Sequence, residues 1–247
     1  MNEPLAARLR PSNLDEIIGQ QHLVGQGKVL RKMVENDRIP SMIFWGPPGV
    51  GKTTLASVIA RSTKASFINF SAVTSGIKEI REVMKKAQED SQMGERTIVF
   101  VDEIHRFNKA QQDAFLPFVE KGAIILIGAT TENPSFEVNS ALLSRCKVFV
   151  LKQLNEEEIL TLLKRAIYDP RAFEGKKIEV EEKSLRFIAG FSNGDARMAL
   201  SSLEMAVLNA QETDEGYKIS EELMEEITSK KSFLYDKKGE EHYNIIS

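Results

Sequence analysis

The octapeptide Gly46-Pro47-Pro48-Gly49-Val50-Gly51-Lys52-Thr53 constrains this chain more than any other stretch. It fits G-x-x-x-x-G-K-[ST] at every fixed position. It lies between an apolar run, Ser41-Met42-Ile43-Phe44-Trp45, and a segment patterned as a helix from Lys52 to about Ser62. A buried strand that enters a glycine-rich loop and leaves it as a helix presents backbone N–H groups and the positive end of a helix dipole to an anion. A mere connecting turn needs neither the lysine nor the hydroxyl, so residues 46–53, with Thr54 beside them, are the expected phosphate cradle. Lys52 is placed to bridge the β- and γ-phosphates and Thr53 to offer its hydroxyl to Mg²⁺, which makes ATP and Mg²⁺ the expected ligands.

Around this loop the pattern is that of an open α/β sheet. Ser66–Phe70, Thr97–Val101, Ala123–Gly128 and Lys147–Leu151 are expected strands, and the second and third are continuous apolar runs, as in central parallel strands covered on both faces. Ile77, Ile80, Val83, Met84 and Ala87 fall on one helical face between them. Strands alternating with helices imply right-handed crossovers and helices on both sides of the sheet. Residues 1–40 form an arm in which Arg8-Leu9-Arg10-Pro11 is expected to be extended. After about Leu154 the strands are expected to stop. There Asn155 can cap Glu156-Glu157-Glu158, Ile159, Leu162, Leu163 and Ile167 line one face, and 181–190, 195–210 and 219–230 repeat helical patterning. The expected organisation is a P-loop α/β domain with its arm over 1–154, an all-helical lid over 155–235, and the start of a truncated C-terminal region over 236–247.

Composition narrows the classes. With 247 residues, 42% hydrophobic and 28% charged, the chain is expected to fold as a main domain with a smaller partner. No apolar run approaches the roughly 20 residues of a membrane helix. Met1-Asn2-Glu3-Pro4 is not a basic-then-apolar leader, so a cytoplasmic location without membrane partners is expected. One cysteine, Cys146, excludes an internal disulfide and a multi-thiolate zinc module. His22, His105 and His242 are too scattered for a metal site beyond Mg²⁺ and are expected to be structural or solvated. A net charge of −3 leaves only local basic patches for nucleic acid, of which His105-Arg106-Phe107-Asn108-Lys109 is the candidate for DNA contact.

Asp102-Glu103 follows directly on the strand 97–101, 50 residues after Lys52. Open α/β sheets bind ligands at the carboxyl ends of their strands. Acidic residues also begin helices, but beside a phosphate cradle the pair acquires distinct tasks. Asp102 belongs to the Mg²⁺ shell, and Glu103 orients and polarises the water that attacks the γ-phosphate.

Taken together, Gly46–Thr53, Asp102-Glu103 and the helical tail resemble the AAA+ ATPases of the clamp-loader clade, over nearly the whole chain. Arg8-Leu9-Arg10-Pro11-Ser12-Asn13-Leu14-Asp15-Glu16-Ile17-Ile18-Gly19-Gln20 is similar to the N-terminal box that lies against adenine, which implies Arg10, Pro11, Ile17 and Ile18 near the base. Ala129-Thr130-Thr131-Glu132-Asn133-Pro134 looks like the sensor 1 region, which implies that Thr130 or Thr131 meets the γ-phosphate or the attacking water. Ser144-Arg145-Cys146 resembles the clamp-loader Ser-Arg-Cys motif and implies that Arg145 is an arginine finger for a neighbouring subunit. Gly194-Asp195-Ala196-Arg197 resembles sensor 2 and implies that Arg197 reaches the γ-phosphate from the lid.

Within that clade, Pro4–Pro11 with Gly19–Gly25, Val101–Asn108 and Ile127–Phe136 are similar to the replication-associated recombination protein A family, which is related to the Werner-helicase-interacting ATPase. The resemblance implies a DNA-dependent ATPase acting in replication, recombination and repair at stalled forks, gaps or strand ends. It further implies DNA junctions or ends as partners, a homo-oligomer that is a tetramer at full length, replication proteins such as single-strand-binding protein, and association with the bacterial nucleoid. Two alternatives share motifs. A clamp-loader subunit usually carries a four-cysteine zinc module, and a branch-migration motor is expected to add a winged helix. A reading of another class is a nucleotide-gated scaffold that hardly hydrolyses ATP, against which stand Lys52, Glu103 and Arg145 together.

Overall fold

The computed structural model describes residues 3–71, 76–214, 216–220, 222–223 and 226–227. Contacts divide the chain into two compact units, one of Pro11–Gln153 and one of Met1–Arg10 with Leu154–Ser247. In chain order the helices are α1 Leu5–Arg8, α2 Gln21–Val24, α3 Val29–Glu35, α4 Lys52–Ser62, α5 Ile77–Gln92, α6 Lys109–Asp113, α7 Leu116–Glu120, α8 Pro134–Glu137, α9 Ser140–Leu143, α10 Glu156–Tyr168, α11 Glu182–Phe191 and α12 Ala196–Leu208. The strands are β1 Met42–Trp45, β2 Ser66–Ser71, β3 Thr97–Asp102, β4 Ile125–Thr130, β5 Lys147–Val150, β6 Lys177–Glu179, β7 Gln211–Glu212 and β8 Gly216–Lys218.

In the Pro11–Gln153 unit five parallel strands run in the order β2-β3-β4-β1-β5. The two apolar runs occupy central positions, β3 and β4, and the residues of β3 from Thr97 to Val101 are all buried. β2 and β5 are the edges and are mostly exposed, which is why their sequences carry Asn69 and Lys147. β4 sits two residues later than the apolar run indicated, because pairing of Phe44 with Ala129 and of Trp45 with Thr130 draws those two residues into the strand. Alternation along β3 turns Val99 and Val101 to one face, where they join Ile80, Met84 and Ala87 of α5, together with Ile104, Phe107 and Phe115. The expected helical face of α5 is therefore the one that packs. Each fully buried aliphatic or aromatic side chain stabilises the unit by roughly 1.5–3 kcal/mol.

The second unit departs from the sequence expectation in three ways. Arg8 is not extended. It ends α1, donates to the carbonyls of Arg171 (3.2 Å) and Ala172, and pairs with Glu204 of α12 at 2.8 Å. The first ten residues thus group with this unit rather than with the α/β unit. Nor do the strands stop: β6, β8 and β7 form a small sheet in that order, with β6 and β8 parallel and β7 and β8 antiparallel. Strands of two or three residues are too short to show period-2 alternation, so the lid is helical with a small sheet and not all-helical. α10 begins on a capping box in which Asn155 accepts from the Glu158 N–H at 2.9 Å and Glu158 accepts from the Asn155 N–H at 2.8 Å. Its buried residues are Ile159, Leu160, Leu163 and Ala166, while Leu162 and Ile167 are half-buried. Half of the helix expected over 219–230, and the region 236–247 entirely, falls outside the described residues.

Candidate functional site

Because β1 to β5 are all parallel, everything that follows them emerges at one edge of the sheet. β1 delivers the glycine loop, β3 delivers Asp102 and Glu103, and β4 delivers Thr130 as its last residue. The Gly46 N–H donates to the Thr130 carbonyl at 3.2 Å, so the start of the loop is tied to the end of β4. Two glycines have identifiable reasons to be there. A Cβ on Gly46 would stand 2.5 Å from the Leu151 carbonyl oxygen, and Gly51 caps α4 in the left-handed region at φ +94°. Lys52 Nζ donates to the Gly46 and Pro47 carbonyls at 2.7 and 2.8 Å, which holds the ammonium inside the loop it belongs to. Thr53 and Thr54 lie in the first turn of α4 and are half-buried. Val50 is buried, and its carbonyl accepts from Gln20 at 3.4 Å.

After Asp102 the chain turns sharply. Glu103 adopts φ 53° and ψ 46°, a left-handed conformation that costs a non-glycine residue roughly 1–2 kcal/mol. Its N–H donates to Asp102 Oδ1 at 3.1 Å. The segment that follows is pinned by two buried anchors, Ile104 and Phe107, the latter stacked on Phe115 with ring centroids 6.0 Å apart. Buried Gln112 donates to the Phe107 carbonyl at 3.0 Å. Between the anchors, Arg106 Nε pairs with Glu103 Oε2 at 2.7 Å, and the His105 ring turns inward. His105 Nδ1 is 3.0 Å from Thr130 Oγ, and its Nε2 is 3.9 Å from Glu103 Oε2. Of the two expected states, structural or solvated, His105 is not the solvated one: it belongs to the side-chain group around Glu103. Of the candidate DNA patch, Arg106, Asn108 and Lys109 are exposed, whereas His105 and Phe107 face inward.

Thr130 and Thr131 separate clearly. Thr130 is 1% exposed, its hydroxyl accepts from the Glu132 N–H at 3.0 Å, and it meets His105. Thr131 lies beyond the strand and is half-buried. Arg145 lies at the opposite edge of the sheet, just before β5, where it pairs with Glu120 and donates to the Ala141 carbonyl at 2.6 Å. It lines a cleft of about 940 Å³ together with Arg38, Arg96 and Lys147. Cys146, next to it, is half-buried, and burial pushes its thiol up to about 11.

Pro11 and Ile18 are half-buried and Ile17 is buried, next to the short 3₁₀ turn Leu14–Glu16 that packs near α4. Gln20, 1% exposed, donates to the Lys152 carbonyl at 2.8 Å and accepts from the Lys152 N–H at 3.0 Å, joining this segment to the glycine loop and the end of β5. No distinct role for it was legible beforehand, since a lone glutamine carries no motif signal. Arg10 and Arg197 belong to the other unit, both exposed; Arg197 is the second residue of α12, behind an Asp195 cap that accepts from the Met198 N–H at 2.9 Å. The structure thus brings together the loop, Asp102, Glu103 and Thr130, and keeps Arg145 at the far edge.

Residues 42–154 match the family model of the ATPase family associated with various cellular activities (AAA), and residues 174–247 match that of the AAA C-terminal domain. The chain thus carries an AAA domain followed by an AAA C-terminal domain. This AAA chain is 53% identical over 247 residues to "Replication-associated recombination protein A" of Escherichia coli K12, spanning 99% of the chain but 55% of that relative. It is 41% identical to "ATPase WRNIP1" of Dictyostelium discoideum, spanning 99% of the chain and 30% of that relative. Among solved structures it is similar to the Thermotoga maritima RuvB Holliday junction branch migration motor, at a TM-score of 0.71 and 26% identity, covering 90% of this chain and 72% of that one. The chain spans about half the length of the bacterial relatives it matches. Among the described residues no helix of the AAA chain is long and apolar enough to cross a membrane.

Proposed function

We propose that this chain is the ATP-hydrolysing core of a DNA-dependent AAA+ ATPase that works in replication-associated recombination and repair as a homo-oligomer. One observation carries it: the glycine loop with Lys52, the Asp102-Glu103 pair and Thr130 converge at the carboxyl edge of one sheet, while Arg145 stands at the other. The loop cradles the triphosphate by backbone N–H groups, and Lys52 exchanges its two carbonyl partners for phosphate oxygens. The donor set fits Mg²⁺: one hydroxyl, Thr53, and one carboxylate, Asp102, leave the remaining positions to phosphate oxygens and water. When bound, the ion neutralises charge on the β- and γ-phosphates. Glu103 orients the attacking water, and Thr130 meets the γ-phosphate. Arg145 stabilises the transferring phosphoryl group of a neighbouring subunit, and Arg197 senses it from the lid. Arg10, Pro11, Ile17 and Ile18 border the adenine.

DNA dependence draws on the relatives' names and on the exposed basic residues Arg106 and Lys109, which lie three and six positions from Glu103. Junctions or strand ends are the proposed DNA, single-strand-binding protein a proposed associate, and the full-length assembly a tetramer. The test measures ATP turnover with single strands, forks and blunt ends at fixed salt. Turnover rises with one of them, and Glu103→Gln binds ATP yet turns over at least ~100-fold more slowly; turnover indifferent to every DNA sinks the proposal. The Glu103–Arg106 pair favours a second reading, a nucleotide-gated scaffold whose carboxylate stays engaged, and that reading requires negligible turnover under every condition.

A further inference from the structure

We propose that His105 is a positioning residue that ties the Thr130 hydroxyl to the Glu103 carboxylate. The proposal rests on the assignment of Thr130 and Glu103 to the hydrolysis site made above. The ring lies between the two side chains, with Nδ1 at 3.0 Å from Thr130 Oγ and Nε2 at 3.9 Å from Glu103 Oε2. It cannot swing away at little cost. Its backbone is fixed on one side by Ile104, fully buried, and on the other by Phe107, 3% exposed, and the side chain itself is only 13% exposed.

The hydrogen bonds of Thr130 define what the ring does. A hydroxyl has one proton to donate and two lone pairs to accept with. Thr130 accepts the Glu132 N–H at 3.0 Å, and its own proton has two possible acceptors, the Glu132 carbonyl at 3.2 Å and His105 Nδ1 at 3.0 Å. With Nδ1 accepting, the ring carries its proton on Nε2, the nitrogen that faces the carboxylate, and all three groups are matched in sign. This tautomer follows from the surrounding groups, as imidazole tautomers do when one nitrogen faces a carboxylate. His105 thereby draws the Thr130 proton toward its own ring rather than toward the Glu132 carbonyl, and it presents Nε2–H to the Glu103 carboxylate 3.9 Å away. Two groups that must act on the same γ-phosphate and its attacking water are held in one frame by a single ring. Misplacement of such groups by about 1 Å can cost on the order of a hundredfold in rate.

A residue that orients the reacting groups without touching nucleotide must change turnover and leave binding alone. In the full chain, His105→Ala is expected to lower kcat by roughly ten- to a hundredfold, with KM for ATP and the Kd of a non-hydrolysable ATP analogue within about twofold. His105→Asn, whose amide stands near the position of Nδ1, and His105→Gln, whose amide reaches that of Nε2, each recover part of the loss and neither all of it. Both also carry the test if the alanine variant does not fold. Thr130→Val lowers kcat, and adding His105→Ala to it lowers kcat little further, because the ring has then lost the partner it positions. Unchanged kcat in His105→Ala overturns the proposal. So does an equal loss of kcat, analogue binding and thermal midpoint, which marks a ring that merely packs. If Thr130→Val turns over like the wild type while Glu103→Gln does not, it is the assignment of Thr130 that has failed, and the tie falls with it.

Discussion

Single side chains in this molecule acquire their chemistry from what surrounds them rather than from their identity. Glu103 is set in a left-handed backbone conformation, which turns its carboxylate back beside Arg106 and His105. Nothing in the dipeptide Asp102-Glu103 foretells that turn, because an acidic pair after a strand is equally compatible with an ordinary helix start. His105 likewise gains its place only through the burial of its neighbours Ile104 and Phe107. Cys146 shows the same dependence in a testable form. Its thiol is raised from 9.0 to about 11 by burial, so the folded state disfavours the thiolate. Alkylation of the native protein should accelerate roughly tenfold per pH unit between pH 8 and pH 10, as expected for a group still far below its midpoint. A rate that levels off near pH 9, the ordinary midpoint, would show a thiol open to water.

At the scale of elements, α10 illustrates how local chemistry sets a boundary. Asn155 and Glu158 satisfy each other's backbone donors, and Glu156, Glu157 and Glu158 face the positive end of the helix dipole. Asn155→Ala is expected to destabilise the second unit by about 1 kcal/mol, read as a lower thermal midpoint, while nucleotide affinity stays unchanged. Loss of affinity without loss of stability would contradict a capping role. These signals are local in sequence, which is why the helix start was legible. The short strands β6, β7 and β8 were not, since their pairing joins Lys177 to Gly216 across a long stretch of chain and leaves no periodic trace.

For the whole molecule, the decisive geometry is that of opposite edges. Arg145 precedes β5 and the glycine loop follows β1, and β1 and β5 run parallel with Met42 level with Lys147. A four-residue strand therefore separates them, roughly 13 Å at 3.3 Å per residue. On the proposed function, an arginine finger so placed would act on another subunit's nucleotide rather than on its own. Mixing Arg145→Ala with Lys52→Ala, each inactive alone, is expected to restore part of the ATP turnover, because one supplies an intact loop and the other an intact arginine. No recovery in the mixture, with assembly verified by its sedimentation, would place the function of Arg145 within its own subunit or remove it.

The glycine-rich loop, the acidic pair after a strand, the central apolar strands, the face of α5 that packs and the cap of α10 were all legible in the sequence. Each is written in contiguous residues or in a fixed period, and backbone geometry reads such patterns directly. Folding was needed to show which threonine meets His105, that the other nitrogen of that ring faces Glu103, that Gln20 joins the N-terminal segment to the glycine loop, and that residues 3–10 group with the second unit. Those relations link residues brought together by parallel strand pairing and core packing, and neither leaves a signature at any one position along the chain.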